Sequence, residues 1–259
     1  MSGRVITSLA NDTVKTVRAL HLRKAREESG LFLAEGLKIV TEAVELGSAP
    51  AILMYSARAA DHPMLRRAAA VARETVEVTE AILAKISRRE NPQMVLGVFE
   101  QRFTDLAALD PAGAGLLLGL EEVRDPGNLG TIIRTADAAA CAGVILIGDC
   151  CDPYSVEAVR ATMGSIFAVP IARASVAEFL AWRAAWPGSV IGTLLTATQD
   201  FRQASSARPS LILLGNEQAG LTPALAEVCD VTVKIPMLGR ADSLNLAVAA
   251  GVMIYAALD

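Results

Sequence analysis

Between residues 116 and 235, short unbroken apolar runs recur at intervals filled by helical patterns, and this alternation limits the chain to few architectures. The runs are 116–120, 144–147, 166–171, 190–194, 211–214 and 231–235. A strand that is apolar on both sides needs cover on both faces, so the pattern predicts a parallel sheet between layers of helices. Helices are expected over 129–140, 156–163 and 176–186. Ligands of such sheets bind beyond the carboxyl ends of the strands. That rule singles out the loop holding Asn128, the loop 214–221 and the turn after Ile235.

The last of these turns is rich in chemistry. The strand 231–235 ends at Pro236, which has no N–H for a sheet ladder. Gly239 and Asp242 follow, and a helix is expected from near Ser243, capped by Asp or Ser. Ser243 and Asn245 therefore sit where a helix start leaves backbone N–H groups unpaired, a natural place to hold a polar ligand. The apolar run 244–258 is about fifteen residues, short of the roughly twenty that cross a bilayer. No N-terminal stretch combines a basic start, an apolar core and a small-residue cleavage site, so a cytoplasmic protein is expected.

Residues 1–104 carry their own alternation: helices over 13–29, 37–46, 64–73 and 80–87, strands over 31–34, 51–55, 76–78 and 94–100. This predicts a small three-layer α/β domain. Residues 105–115, rich in Ala, Asp, Gly and Pro, read as a linker, and 116–259 as a second domain. Residues 1–104 hold 15 Lys and Arg against 12 Asp and Glu, a net charge of +3, whereas the rest of the chain carries −7. A basic front on an acidic back is the asymmetry expected if the front touches phosphates. Cys141, Cys150, Cys151 and Cys229 form no C-x-x-C pair and read as small buried hydrophobes. The two histidines, His21 and His62, are expected at the surface near helix ends; no metal site or histidine triad is predicted. Gly113, Gly115 and Gly119 precede a strand instead of following one, which rules out a nicotinamide-dependent dehydrogenase fingerprint.

Asn128 and Arg134 are polar residues in an Ala- and Ile-rich helix, and Glu217 stands between Gly215 and Gly220 after an apolar strand. Each has an ordinary reading: a surface arginine, or one lying across a carboxylate; a charge that solubilises a loop. Glycines beside Glu217 also suit close backbone approach by a ligand. Their order along the chain is the specific signal: Asn-x5-Arg, then Gly-x-Glu-x-x-Gly, then Ile-Pro-Met-x-Gly-x4-Leu-Asn.

In that order the chain resembles the SpoU-type (TrmH-type) RNA ribose 2′-O-methyltransferases of the SPOUT superfamily. Asp125-Pro126-Gly127-Asn128-Leu129-Gly130-Thr131-Ile132-Ile133-Arg134-Thr135-Ala136 is similar to the first motif of that family, Leu214-Gly215-Asn216-Glu217-Gln218-Ala219-Gly220-Leu221 to the second, and 235–249 to the third. Residues 160–170 resemble a further segment. The front domain, with Arg23-Lys24-Ala25-Arg26 ahead of Gly30-Leu31-Phe32-Leu33-Ala34-Glu35-Gly36 and a closing strand around Asn91-Pro92-Gln93 and Gly97-Val98, resembles the L30e-like substrate-binding domain of longer members. Ala247 and Ala139-Ala140 depart from residues common elsewhere in the family.

The resemblance implies an α/β catalytic domain whose parallel sheet contains a deep trefoil knot, plus the smaller L30e-like α/β domain. It implies S-adenosylmethionine as cofactor, held by Leu194, Thr196, Gly215, Gly220, Ile235, Met237 and Leu244. It further implies a catalytic and RNA-positioning set of Asn128, Arg134, Glu217, Ser243 and Asn245. Two subunits would pair so that the first motif faces the cofactor of the partner. Arg134 would grip a phosphate and ease loss of the hydroxyl proton by its charge, since a guanidinium stays protonated near neutral pH and is a poor base. With few aromatics for base stacking, Arg23, Lys24, Arg26, Arg88 and Arg89 are expected to carry RNA contacts, along with Arg66 and Arg67. Ribosomal RNA is the expected substrate; transfer RNA, and a non-catalytic RNA-binding or ribosome-assembly role, are the alternatives.

Overall fold

A computed structural model describes residues 4–109, 115–204 and 209–258. The first hundred residues run β1 (Arg4–Ile6), α1 (Asp12–Ala19), α2 (Arg23–Ser29), β2 (Leu31–Glu35), α3 (Leu37–Glu45), β3 (Ile52–Tyr55), α4 (Pro63–Val71), β4 (Glu74–Val78), α5 (Glu80–Ser87) and β5 (Val95–Glu100). There follow β6 (Leu116–Glu121), α6 (Pro126–Ala138), β7 (Gly143–Ile147), α7 (Val156–Thr162), β8 (Ile171–Ala174), α8 (Val176–Arg183) and β9 (Ser189–Thr193). The series ends with β10 (Gln199–Asp200), β11 (Ser210–Leu214), α9 (Pro223–Ala226), β12 (Val231–Lys234) and α10 (Leu246–Ala256). Of the expected linker, residues 110–114 lie outside the described residues.

The chain divides into two compact units. One holds the described residues up to Gln101 together with Asp152–Phe167; the other holds Arg102–Cys151 and everything from Ala168. The first unit is built on a five-stranded mixed sheet in the order β1-β4-β3-β5-β2, with β5 antiparallel to both its neighbours. Val14 and Val17 of α1 and Ile82, Leu83 and Ile86 of α5 close its core against Leu33, Met54, Val76 and Val98 of the strands. Val156 of α7 joins that core. Tyr154 and Phe167 pack on Phe32 and Phe99, with ring centroids 4.6 Å apart for Phe32–Tyr154 and 4.8 Å for Phe99–Phe167.

The single helix expected over 13–29 is two helices. The chain turns at Leu20, whose side chain is buried, and Leu22 is extended (φ −91°, ψ 130°) ahead of α2. This turn leaves the carbonyl of Leu20 without a helical partner, and Arg26 Nη1 donates to it at 2.7 Å. Arg26 corrects the expectation of an RNA-facing residue. Its side chain is 4% exposed, its Nε donates to Asp152 Oδ2 at 2.8 Å, and its Nη2 lies 2.8 Å from the same oxygen in an ion pair. Helical periodicity counted through residues 20–22 gives the wrong face for α2. His21 is likewise half-buried instead of exposed, its Nε2 lying 2.6 Å from the carbonyl oxygen of Ile86.

The second unit contains a seven-stranded sheet in the order β10-β12-β9-β11-β6-β7-β8, parallel at every pairing. Both faces are covered, as the unbroken apolar runs predict. Leu117, Ile145, Ile147, Leu211 and Leu213 pack with Phe179 and Trp186 on one side. The alternate residues Leu118, Leu120, Leu146, Ile212 and Leu214 face the other way and are equally buried, as are Ile132 and Ile133 of α6 and Ala250 and Ile254 of α10. No disulfide forms among the described residues; Cys141 is buried as expected, whereas Cys150, Cys151 and Cys229 are only half-buried, and burial pushes the Cys229 thiol up to about 11, away from the reactive thiolate. No described helix is long and apolar enough to cross a membrane.

Three elements went unforeseen: β1, β10 and α9. The strand expected over 166–171 starts only at Ile171, because Ser165–Phe167 forms a 3₁₀ turn. Two helix starts also move. Pro126 opens α6 behind an Asp125 cap, and Asn245, not Ser243, caps α10. The order β12-β9-β11-β6 sets the carboxyl ends of four strands side by side, and the loops leaving them form the region described next.

Candidate functional site

The loop after β11 is folded on itself. Asn216 and Gly220 pair through two backbone hydrogen bonds, of 3.1 and 2.9 Å. Asn216 Oδ1 accepts from the N–H groups of Gln218 and Ala219, and its Nδ2 donates to the carbonyl of Glu122 at 2.9 Å. Buried Glu121 holds the far end, accepting from Thr222 N–H at 2.8 Å and Thr222 Oγ1 at 2.7 Å. Gly220 has φ +70°, a conformation that favours glycine. A Cβ on Gly215 would lie 2.0 Å from the carbonyl carbon of Gly220 and 2.2 Å from Leu221 N. Gly215→Ala is therefore expected to destabilise this unit by about 1–3 kcal/mol, as overpacked sites are, measured by chemical denaturation. An unchanged midpoint would refute the close packing.

So braced, the loop presents Glu217 to the start of α6. The carboxylate accepts from the backbone N–H groups of Arg124 and Asp125 at 3.4 Å each, and from Asn128 Nδ2 at 3.3 Å. Asn128 Oδ1 in turn accepts from Asn245 Nδ2 at 2.9 Å. Asn245 Oδ1 caps α10, accepting from Ala247 and Val248 N–H. A carboxylate only accepts and a helix N-terminus only donates, so the orientation of both amides between them is fixed. Three residues from three distant stretches of sequence thus form one directed chain, Asn245 to Asn128 to Glu217.

Beside this chain lies a cleft lined chiefly by apolar groups. Leu194 and Leu195 follow β9, Ile235 and Met237 follow β12, and Leu244 and Leu246 open α10; Gly215, Glu217 and Gly220 close it from the loop after β11, and Ser243 from the last turn. Six of the seven residues expected to hold a cofactor line it: Leu194, Gly215, Gly220, Ile235, Met237 and Leu244. Thr196 is exposed and does not line it. Of the five expected catalytic residues, Glu217 and Ser243 line the cleft, and Asn128 and Asn245 are tied to Glu217 at its edge. Arg134 stands apart. It is exposed on α6, about 9 Å along the helix from Asn128 at 1.5 Å per residue, and pairs with none of the described residues.

Thr193 escaped the sequence reading. The residue lines the cleft, and its Oγ1 is buried with no hydrogen-bond partner among the described residues. A buried hydroxyl without a partner is costly unless a ligand supplies one. A predominantly apolar cleft with a few convergent polar groups is the common form of a small-molecule site.

In the first unit, Arg23 and Lys24 sit on α2 in ion pairs with Glu27 (2.7 Å) and Glu28 (3.7 Å). Arg66 and Arg67 pair with Asp61 (2.6 Å) and Glu45 (3.2 Å). Arg89 reaches Glu35 at 3.8 Å, and Arg88 is exposed.

Two family models match the chain. Residues 115–255 match the model of the SpoU rRNA methylase family, and residues 11–97 match the MRM3-like substrate binding domain. The chain is 31% identical to the 23S rRNA (guanosine(2553)-2′-O)-methyltransferase RlmP of Bacillus subtilis, over 96% of this chain and 97% of that protein. It is 33% identical to the 23S rRNA (uridine(2479)-2′-O)-methyltransferase of Streptomyces viridochromogenes, over 91% and 85%. The crystal structure of an AdoMet-bound rRNA methyltransferase from Sinorhizobium meliloti superposes with a TM-score of 0.92 at 46% identity, covering 98% of this chain and 97% of that one.

Proposed function

The chain belongs to the SpoU rRNA methylase family, and from that premise we propose that it methylates a ribose 2′-hydroxyl of ribosomal RNA with S-adenosylmethionine as donor. The observation that carries this reading is the hydrogen-bonded chain Asn245–Asn128–Glu217 beside an apolar cleft. The cleft fits the cofactor. Leu194, Ile235, Leu244 and Leu246 suit its adenine ring, the partnerless Thr193 hydroxyl suits one of its polar groups, and the Glu217 carboxylate favours a nearby cation. Bound there, the cofactor supplies an electrophilic methyl group on a sulfonium.

The residues of the chain then have to align a hydroxyl oxygen with that methyl and accommodate the loss of one proton. Fixed geometry of this kind supplies several kcal/mol of a barrier. Glu217 holds Asn128, Asn128 holds Asn245, and Ser243 offers a hydroxyl that both donates and accepts; together they orient the ribose. Arg134 is assigned to the phosphate beside that ribose, gripped through charge-assisted hydrogen bonds. Its distance from Asn128 along α6 suits service to the cleft of a second subunit in a homodimer. The same reading carries a trefoil knot in the catalytic domain 116–259, an L30e-like fold for 1–104, a linker at 105–115 and a cytoplasmic location.

Incubation with methyl-labelled cofactor and an in vitro 23S rRNA transcript is expected to place label in a dinucleotide resistant to alkali, because a methylated 2′-oxygen cannot attack the neighbouring phosphate. Label on a base would overturn the ribose assignment. Cofactor binding without any transfer to rRNA would overturn the assignment of an rRNA-methylating enzyme.

A further inference from the structure

The first unit holds a groove that nothing above uses. Helices α1 and α5 bury Val14, Val17, Ile82, Leu83 and Ile86 in one core. With those faces turned inward, helical spacing sets Lys15 and Arg18 along one wall of the groove between them and Lys85 and Arg88 along the other. His21, at the turn after α1, closes one end, and the groove encloses about 600 Å³. Arg88 ends α5 in a left-handed conformation, φ 55°, unusual for a residue other than glycine.

Like charges drawn together repel, and little in the fold relieves this. Lys15 pairs with Asp12 at 2.9 Å, but the side chains of Arg18, Lys85 and Arg88 pair with none of the described residues. Among the described residues, no carboxylate lines the groove. Glu35, within electrostatic reach of His21, is taken up by Arg160 at 2.7 Å and Arg89 at 3.8 Å; Glu157 also acts on His21 but lies outside the lining. Basic residues elsewhere on this unit are mostly compensated: Arg23, Lys24, Lys38, Arg58, Arg66, Arg67 and Arg73 all have acidic partners. A double row of cations of which three of four have no acidic partner among the described residues is a site for a polyanion. His21 adds a polar feature. Its Nε2 faces a carbonyl, which only accepts, and burial together with Arg88 lowers its tendency to charge. The neutral ring then keeps its proton on Nε2 and leaves Nδ1 as an acceptor, suited to a hydroxyl beside a phosphate.

We propose that the groove between α1 and α5, lined by Lys15, Arg18, His21, Lys85 and Arg88, binds the ribose-phosphate backbone of the substrate RNA. This rests on the reading of the chain as an RNA-modifying enzyme; it keeps Arg88 among the expected RNA contacts and replaces those on α2 with Lys15, Arg18 and Lys85, of which only Lys15 has an acidic partner among the described residues. Phosphates suit two rows of point charges better than scattered carboxylates do, and a phosphate contact shows itself by its salt dependence.

The test measures binding of a fluorescent 23S rRNA transcript to the full chain as salt is varied, with polyglutamate as competitor. Arg18→Glu/Lys85→Glu is expected to weaken binding at least about tenfold at 0.15 M salt and to flatten the slope of log K against log salt by about 1.4, at roughly 0.7 per phosphate contact. Cofactor affinity by calorimetry should not change, and the milder Lys85→Gln should give a smaller loss in the same direction. Unchanged RNA affinity and slope in a folded double variant would overturn the proposal. So would polyglutamate displacing the RNA at equal charge concentration, since the groove would then take any anionic chain. Methyl transfer by the unaltered chain decides the enzymatic reading separately: loss of RNA binding in the variant supports the groove even if the unaltered chain transfers nothing.

Discussion

Arg134→Ala is expected to lower methyl transfer by roughly 10²–10³-fold, the usual cost of removing one preorganised group that stabilises developing charge, while leaving cofactor affinity essentially unchanged. The second half of that expectation follows from geometry: Arg134 lies outside the cleft and is bonded to nothing that lines it. The first half follows from chemistry. A guanidinium does not give up its proton near neutral pH, so the part proposed for it is to hold a phosphate and favour the alkoxide-like oxygen. Arg134→Lys should recover only part of the rate, since an ammonium cannot make the paired, planar contact. Single-turnover rates with saturating cofactor, alongside calorimetry, separate the two halves. Weakened cofactor binding in Arg134→Ala would count against the assignment.

The same residue tests the dimer. If Arg134 serves the partner, mixing Arg134→Ala subunits with subunits whose cleft is blocked by Leu244→Arg should restore activity: the intact cleft of one would meet the intact arginine of the other. If Arg134 serves its own cleft, every site in the mixture lacks something and no activity returns. Asn128 sharpens the question. Although only six positions before Arg134, it is hydrogen-bonded to Glu217 and Asn245 of the same chain. One helix would therefore contribute to two sites.

What could be read from the sequence was whatever repeats locally. The strands of the parallel sheet are apolar throughout and stand out from period alone, and glycines flanking Glu217 announce a tight loop. Contacts that close over long separations leave no such trace. Asn245 was expected inside a helix beginning near Ser243; it became the cap because its amide is shared between α10 and Asn128, 117 positions away. Thr193 looks like any strand-end threonine until its hydroxyl is found without a partner. The groove of the first unit is equally silent, because Lys15 and Arg18 on one helix meet Lys85 and Arg88 on another only after both bury their apolar faces.

Arg26 is the extreme case, and it carries the largest expected effect on stability. Its guanidinium and the Asp152 carboxylate are 4% and 6% exposed, and they meet across 126 positions of sequence. Asp152 opens a segment that lies within the family match at 115–255 yet packs in the unit of the first hundred residues. Asp152→Ala leaves a buried cation with the Leu20 carbonyl as its one remaining side-chain partner among the described residues, and breaking a buried pair from one side costs about 3–5 kcal/mol. For a chain of this size, each kcal/mol shifts the melting temperature by roughly 2–4 °C, so a fall on the order of 10 °C is expected by calorimetry. Replacing both partners with apolar residues of similar size, Arg26→Met with Asp152→Leu, should recover most of that loss, because the penalty comes from the stranded charge and not from the missing attraction. An Asp152→Ala protein with an unchanged melting temperature would mean that water reaches Arg26. A double variant as unstable as the single one would mean that the pair holds residues 152–167 in place by its geometry, through the ion pair to Asp152 Oδ2 and the hydrogen bond to Leu20.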